Sequence, residues 1–340
     1  MSKHRLSDLY NQNNKDQLKD KLENETFKRS TLSFYKYVNI TNPKDLRDDI
    51  FIKLNKICVL GRIYIANEGI NAQLSLPSNK LKTLENILNS YIEFKNIDFK
   101  VAVQDSHNSF LKLTIKVKNQ IVADGLNSKD FDINRTGMHI DAKEFNKTIN
   151  DPNTILIDMR NNYESEVGRF KGAICPDADT FKEELPIVKK LLKDSKDSQV
   201  VMYCTGGIRC EKASSYLIAN GFKNIKQLHG GIIQYFHEVK NRNLENKFIG
   251  KNFVFDNRLG ERITDDIISN CHICRSSCDK HRNCENQACH ILFIQCEKCY
   301  NKYNGCCSKE CMDFINLPLN EQNRFKKKFI NKSVVRPRIQ

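Results

Sequence analysis

The chain has 340 residues, with 55 Lys and Arg against 41 Asp and Glu and a formal net charge of +14. That length allows two or three domains with packed cores, and no run of about 18 apolar residues is available to span a membrane. The opening Met1-Ser-Lys-His-Arg-Leu-Ser-Asp8 holds no apolar secretory segment, so a cytoplasmic chain is expected, and the basic excess favours a polyanionic partner, nucleic acid first.

Residues 1–30 read as a polar lead, loose or partly helical. From residue 31 to 125 the pattern tightens. Strands are expected at Leu32–Ile40, Val59–Ala66 and Ile70–Leu76, with further strands at Asp98–Val103 and Leu111–Val117. A helix fits 42–56, with Asn42 as its cap and Pro43 in its first position. A second fits Ser78–Ser90, where Leu81, Leu84, Ile87 and Leu88 share one face. The tight link Asn67-Glu68-Gly69 marks a hairpin. The order βαββα followed by strands predicts a ferredoxin-like βαββαβ domain. Within it, the run Gly61 to Asn71 is read as strand plus turn, in preference to a substrate surface made of Arg62, Glu68 and Asn71.

A polar linker covers 126–136, and an α/β block with a parallel sheet covers 137–242. Its core is the run from Val200 to Leu217. Val200–Tyr203 is a buried strand, Cys204 sits at the turn, and a helix with Ala213, Tyr216 and Leu217 on one face follows and stops at Gly221. Gly206 and Gly207 let backbone N–H groups curl toward the sulfur at a helix N-terminus. Such a site stabilises a thiolate, so Cys204 is expected to be the reactive group. It should lie at the carboxyl end of a strand, where open α/β sheets place their sites. Arg209 follows five positions after Cys204. Cysteine phosphatases place their arginine one position later, so the tighter loop suits a smaller group such as a single extra sulfur. Together with Asp158-Met-Arg160, Tyr163-Glu164, Gly168 to Ala173 and Leu228-His-Gly230-Gly231, this loop resembles the rhodanese family. Asp158 and Arg160 are expected to pair with each other rather than react. Phe248–Phe255 is read as an extended link.

Of the 14 cysteines, ten fall in the Cys-rich module at 243–312. They are Cys271, Cys274, Cys278, Cys284, Cys289, Cys296, Cys299, Cys306, Cys307 and Cys311. In a cytosolic chain such density points to metal or redox chemistry. Cys271/Cys274 and Cys296/Cys299 are Cys-X2-Cys knuckles, and two of these complete a tetrahedral zinc site. One or two zinc ions would use most of these sulfurs, with His272, His281 and His290 as competing ligands. Reduced thiols, reversible disulfides and an iron–sulfur cluster are the alternatives. Residues 313–340 form a basic tail with Arg324, Lys326, Lys327, Lys328, Lys332, Arg336 and Arg338. Its Phe325 and Phe329 fit either base stacking or a short packed helix.

Taken together, the Gly61–Asn71 run, the rhodanese-like motifs and the Cys271–Cys299 pattern resemble the bacterial tRNA uridine hydroxylase family over roughly Leu32 to Cys311. Ala72 stands where the family pattern has glycine. The resemblance implies oxygen-dependent conversion of the wobble uridine, position 34 of tRNA, to 5-hydroxyuridine. Cys204 would be the essential thiolate or persulfide. Thr205, Gly206, Gly207 and Ile208 would supply loop N–H donors, and Arg209 would fix the loop or hold negative charge. Cys210 could resolve an oxidised Cys204. The implied partner is the tRNA anticodon loop, with molecular oxygen as co-substrate. No flavin or nicotinamide motif is seen, no DNA or membrane partner is expected, and nothing sets the oligomeric state. The Cys204 loop alone equally fits a rhodanese-type sulfurtransferase acting on thiosulfate or a persulfide. A non-catalytic zinc-containing RNA-binding protein is a third reading, disfavoured because a scaffold has no need of the nucleophile.

Overall fold

A computed structural model of the chain describes residues 9–11, 13–104, 108–127 and 129–329. Helix α1 (Lys15–Glu23), capped by Asn14, precedes the first sheet. That sheet holds β1 (Arg29–Tyr37), β2 (Leu60–Ala66), β3 (Gly69–Pro77), β4 (Lys100–Val101) and β5 (Leu113–Val117), in the order β4-β1-β3-β2-β5. The first four strands pair antiparallel, and β5 adds a parallel edge beside β2. The ferredoxin-like arrangement is therefore present, and the expected strand at Leu111–Val117 forms the edge strand β5. Helix α2 (Pro43–Lys56) is capped by Asn42, as expected. The expected helix at Ser78–Ser90 begins as a short 3-10 turn and is α-helical, α3, only over Leu81–Asn89. The strand expected at Asp98–Val103 shrinks to the two residues of β4.

Strand alternation assigns the two faces of this sheet. Leu32, Phe34, Ile63, Ile65, Ile70, Ala72 and Leu74 point into a core shared with Leu54, Leu84 and Leu88 of the helices. Tyr35, Arg62, Tyr64, Asn71 and Gln73 therefore share the opposite face. The register sets Arg62 beside Gln73, and both Tyr64 and Tyr35 beside Asn71.

The second sheet is parallel, built from β6 (Met138–Ile140), β7 (Ile155–Asp158), β9 (Gln199–Tyr203) and β10 (Asn224–Leu228), in the order β6-β10-β9-β7. Helices α4 (Ala142–Ile149), α5 (Asn162–Val167), α6 (Phe181–Leu191), α7 (Ile208–Ala219) and α8 (Gly231–Arg242) belong to this unit. Separate apolar clusters flank the sheet, one including Met202, Leu185 and Leu217, the other Tyr203, Phe145 and Tyr235. The residues read as an extended link at Phe248–Phe255 are partly a strand, β11 (Phe248–Asn252). It pairs with β8 (Gly168–Phe170) and β12 (Glu261–Arg262). It is the middle strand of that sheet, and its buried Phe248 packs on Phe170.

The Cys-rich module contains the hairpin β13 (His281–Asn283) and β14 (Leu292–Ile294), then α9 (Glu297–Lys302) and α10 (Lys309–Ile315). It rests on the parallel-sheet unit through Tyr163, whose ring meets Phe253 edge-on at 5.2 Å. The tail takes in the end of α10, then α11 (Leu319–Phe325) and a turn over Lys326–Phe329. Phe329 packs on Phe314, the two rings tilted and 4.4 Å apart. Lys332, Arg336 and Arg338 lie outside the described residues. No helix among the described residues is long and apolar enough to cross a membrane.

Candidate active site

Cys204 directly follows β9, and α7 begins four residues later. Gly207 lies between them with φ of +98°, a left-handed conformation that turns its N–H back to the sulfur, 3.1 Å away. A side chain there would also strike the Tyr35 hydroxyl at 2.8 Å. The loop is held from below by the second glycine turn. The N–H groups of Ile232 and Ile233 donate to the carbonyls of Cys204 and Thr205, at 3.1 and 3.2 Å. A Cβ on Gly231 would sit 2.4 Å from the Cys204 carbonyl oxygen, so this close approach requires glycine.

The Cys204 thiol is fully buried, which by itself opposes ionisation. A hydrogen bond from Cys210, the charge of Arg209, and backbone N–H groups of Arg209 and Cys210 overcome that opposition and bring it down to about 6. Burial and the same hydrogen bond push Cys210 well up. Cys210 is therefore a donor to Cys204 and not a second thiolate. The chemistry follows directly: a thiolate-dependent step should lose about tenfold in rate per pH unit below 6 and level off above it. Iodoacetamide labelling of Cys204, located by peptide mass, checks this; an ordinary thiol would keep gaining rate up to about pH 8.5.

Arg209 makes a bidentate pair with Glu164, at 2.5 and 2.8 Å, and both groups are buried. Thr205 Oγ1 donates to the same carboxylate at 3.3 Å. Arg209 is thus fixed from α5, and its guanidinium lies 5.8 Å from the Phe255 ring centroid. Asp158 and Arg160 pair with each other, fully buried, at 2.9 and 2.7 Å, and Tyr203 donates to Asp158 at 2.7 Å. They brace the strand ends, as the sequence suggested.

The ferredoxin-like sheet faces this loop. Tyr35 donates to Glu211 at 2.8 Å, and Tyr37 to the Ile208 carbonyl at 3.2 Å. Lys212 is buried and binds both Glu68 oxygens at 3.0 and 2.9 Å; it also pairs with Asp124. One turn of α7 therefore carries the loop arginine, the donor thiol and two anchors to the other domain. Between the domains lies a cavity of about 400 Å³, lined by the Cys204 loop, Tyr35, Arg62, Tyr64, Asn71, Gln73, Lys100 and Phe255. The run Gly61–Asn71 is strand and turn, as preferred, and within it Arg62 and Asn71 also line the cavity surface, because alternation turns them away from the core. Glu68 is not on it; it serves the latch to Lys212. Tyr35, Tyr64 and Gln73 were missed, although period-2 alternation from Arg62 and Asn71 identifies them.

Eight of the ten module cysteines form two groups whose sulfurs lie within 4.8 Å of one another: Cys271, Cys274, Cys296 and Cys299, and then Cys284, Cys289, Cys307 and Cys311. Sulfurs bound tetrahedrally to one zinc at about 2.3 Å would be about 3.8 Å apart. Cys274–Cys296, Cys289–Cys307 and Cys307–Cys311 stand at 3.6, 3.8 and 3.7 Å. Both groups can hold a metal ion. Cys278 and Cys306 belong to neither, nor do His272, His281 and His290. His272 instead contacts Glu166 at 2.9 Å, and buried His281 packs on Phe253. No described cysteine is in a disulfide.

A low-pKa cysteine in a tight Gly-Gly-X-Arg loop, on a parallel sheet and facing a second domain, defines a rhodanese-type thiolate protein. The family models agree: a UPF0176 acylphosphatase like domain matches residues 29–121, a rhodanese-like domain 141–238, and a rhodanase C-terminal domain 249–312. A tRNA uridine(34) hydroxylase of Leptospira interrogans is 51% identical over 337 residues, covering 97% of this chain and 92% of the relative. One from Photorhabdus laumondii is 48% identical over 315 residues, covering 92% and 90%. The chain belongs to the tRNA uridine(34) hydroxylase family.

Proposed function

We propose that this chain hydroxylates carbon 5 of the wobble uridine of tRNA, with Cys204 as the essential sulfur and molecular oxygen as co-substrate. The observation that carries the reading is the placing of an activated thiolate at a cavity large enough for one flipped nucleotide, in a chain 51% identical to a named hydroxylase. Anticodon-loop bases are splayed out at lower cost than duplex bases. Addition of the Cys204 thiolate to carbon 6 would make carbon 5 electron-rich toward an oxidant. A Cys204 persulfide is the other form the loop accommodates. Arg62, exposed at the cavity rim and without an ion-pair partner among the described residues, suits a phosphate of the RNA. The test is turnover of unmodified tRNA by purified chain under isotopically heavy molecular oxygen. Heavy oxygen in 5-hydroxyuridine is the expected product, and hydroxylation that carries only solvent oxygen would contradict the oxygen assignment.

Zinc is the metal that fits two all-thiolate groups of this spacing, and it would fix the module against α5. Reduced, purified protein is expected to carry two zinc ions per chain, one for each group. Elemental analysis should find one after Cys274→Ser or Cys307→Ser, and still two after Cys278→Ser or Cys306→Ser. An equal loss from Cys278→Ser would contradict this ligand assignment.

A further inference from the structure

We propose that Gln73 reads the target base, selecting uracil over cytosine through an amide whose direction is fixed by a relay ending at a backbone carbonyl; this deepens the proposed function and rests on it. Asn71 and Gln73 are two apart on β3 and so share the cavity face. The Ile121 carbonyl can only accept a hydrogen bond, so the Asn71 atom 3.1 Å from it is Nδ2. That turns Asn71 Oδ1 toward Gln73, whose Nε2 donates to it at 2.9 Å. Gln73 therefore cannot turn over without placing oxygen against oxygen. Its Oε1 and second Nε2–H remain for an occupant of the cavity, since no other described residue bonds them. The relay is anchored at its far end too. The Ile121 N–H donates to Glu68 at 2.7 Å, and Glu68 is held by Lys212.

Uracil presents a ring N3–H beside a carbonyl, which matches a fixed acceptor beside a fixed donor. Cytosine in the same seat sets its N3 lone pair against Oε1 and its amino group against the remaining N–H. Re-seating it so that the amino group meets Oε1 requires turning the ring over, which would carry carbon 6 away from the Cys204 thiolate. An amide free to rotate would accept either base; the pinned one accepts uracil.

The test uses anticodon stem-loop RNAs that differ only in uridine or cytidine at the target position. They are bound at equilibrium by the full chain in a Cys204→Ser background, which prevents turnover. The uridine loop should bind on the order of ten- to a hundredfold more tightly, as one fixed pair of base contacts provides. Gln73→Met should bring the two affinities within about threefold by weakening the uridine loop alone. Asn71→Val releases the amide and should tighten the cytidine loop selectively, a change that general damage to the sheet would not produce. It also carries the test if Gln73→Met does not fold. Equal binding of the two loops by the parent protein, or a preference for uridine undiminished in both variants, would overturn the proposal. Hydroxylation of the uridine loop by the chain with Cys204 intact is scored separately. If turnover occurs while the preference is unmoved by the variants, the relay alone fails; if no turnover occurs, the proposed function fails.

Discussion

Replacing Cys204 by serine is expected to reduce hydroxylation by at least about a thousandfold, the scale on which removal of an activated nucleophile acts. The site is built around an anion: the Gly207 N–H, the Cys210 thiol and the Arg209 charge all converge on the sulfur. A serine hydroxyl in that place stays protonated and offers neither a nucleophile nor an atom able to carry a second sulfur. The substitution removes little volume from a loop fixed by Ile232, Ile233 and the Arg209–Glu164 pair. Melting temperature and tRNA affinity should therefore stay near the parent values while turnover disappears. Appreciable turnover by Cys204→Ser would show that the sulfur is not the reacting atom.

Lys212→Met is expected to cost about 3–5 kcal/mol of unfolding free energy, the range for removing one partner of a buried ion pair. Asp124 and Lys212 are both almost completely buried. Taking away the cation leaves Asp124 buried without its charge partner and near the partly exposed Glu68 carboxylate. Denaturant titration measures the loss, read as a lower midpoint with little change in slope. Turnover should fall as well, because Lys212 is one turn from Arg209 and Cys210 on α7 and ties that turn to the Glu68 hairpin. Lys212→Arg keeps the charge and should recover part of both. A loss under about 1 kcal/mol would mean the three groups behave as a solvated surface pair.

The thiolate-stabilising loop was legible in the sequence because its elements are local. Strand, Cys204, glycine turn, Arg209 and helix all lie within one short run, and each contributes to one anion site. Although the competing histidines left their pairing open and only the fold brings the four sulfurs together, the knuckles Cys271/Cys274 and Cys296/Cys299 were legible as ligand pairs for the same reason. The second group was not, because Cys284, Cys289, Cys307 and Cys311 have no such spacing and converge only through the β13–β14 hairpin and α10. For that reason Cys278 and Cys306 could not be separated from the ligands by counting. The cavity wall was hidden for another reason. Arg62 and Asn71 fit strand and turn equally well when read as a run, and only the docking of the second domain onto the open face of the sheet makes that face a surface with chemistry. Lys212, Glu68 and Asp124 are far apart in the chain, so their pairing is a product of that docking.

The most direct measurement is nucleoside mass spectrometry of tRNA from a strain deleted for this chain and for any paralogue, complemented by the wild-type chain or by Cys204→Ser. Wild type should restore 5-hydroxyuridine, and Cys204→Ser, present at the same level, should leave it absent. Restoration by Cys204→Ser, or failure of the wild-type chain to restore the nucleoside, would contradict the assignment of the Cys204 thiolate as the sulfur that modifies the wobble base.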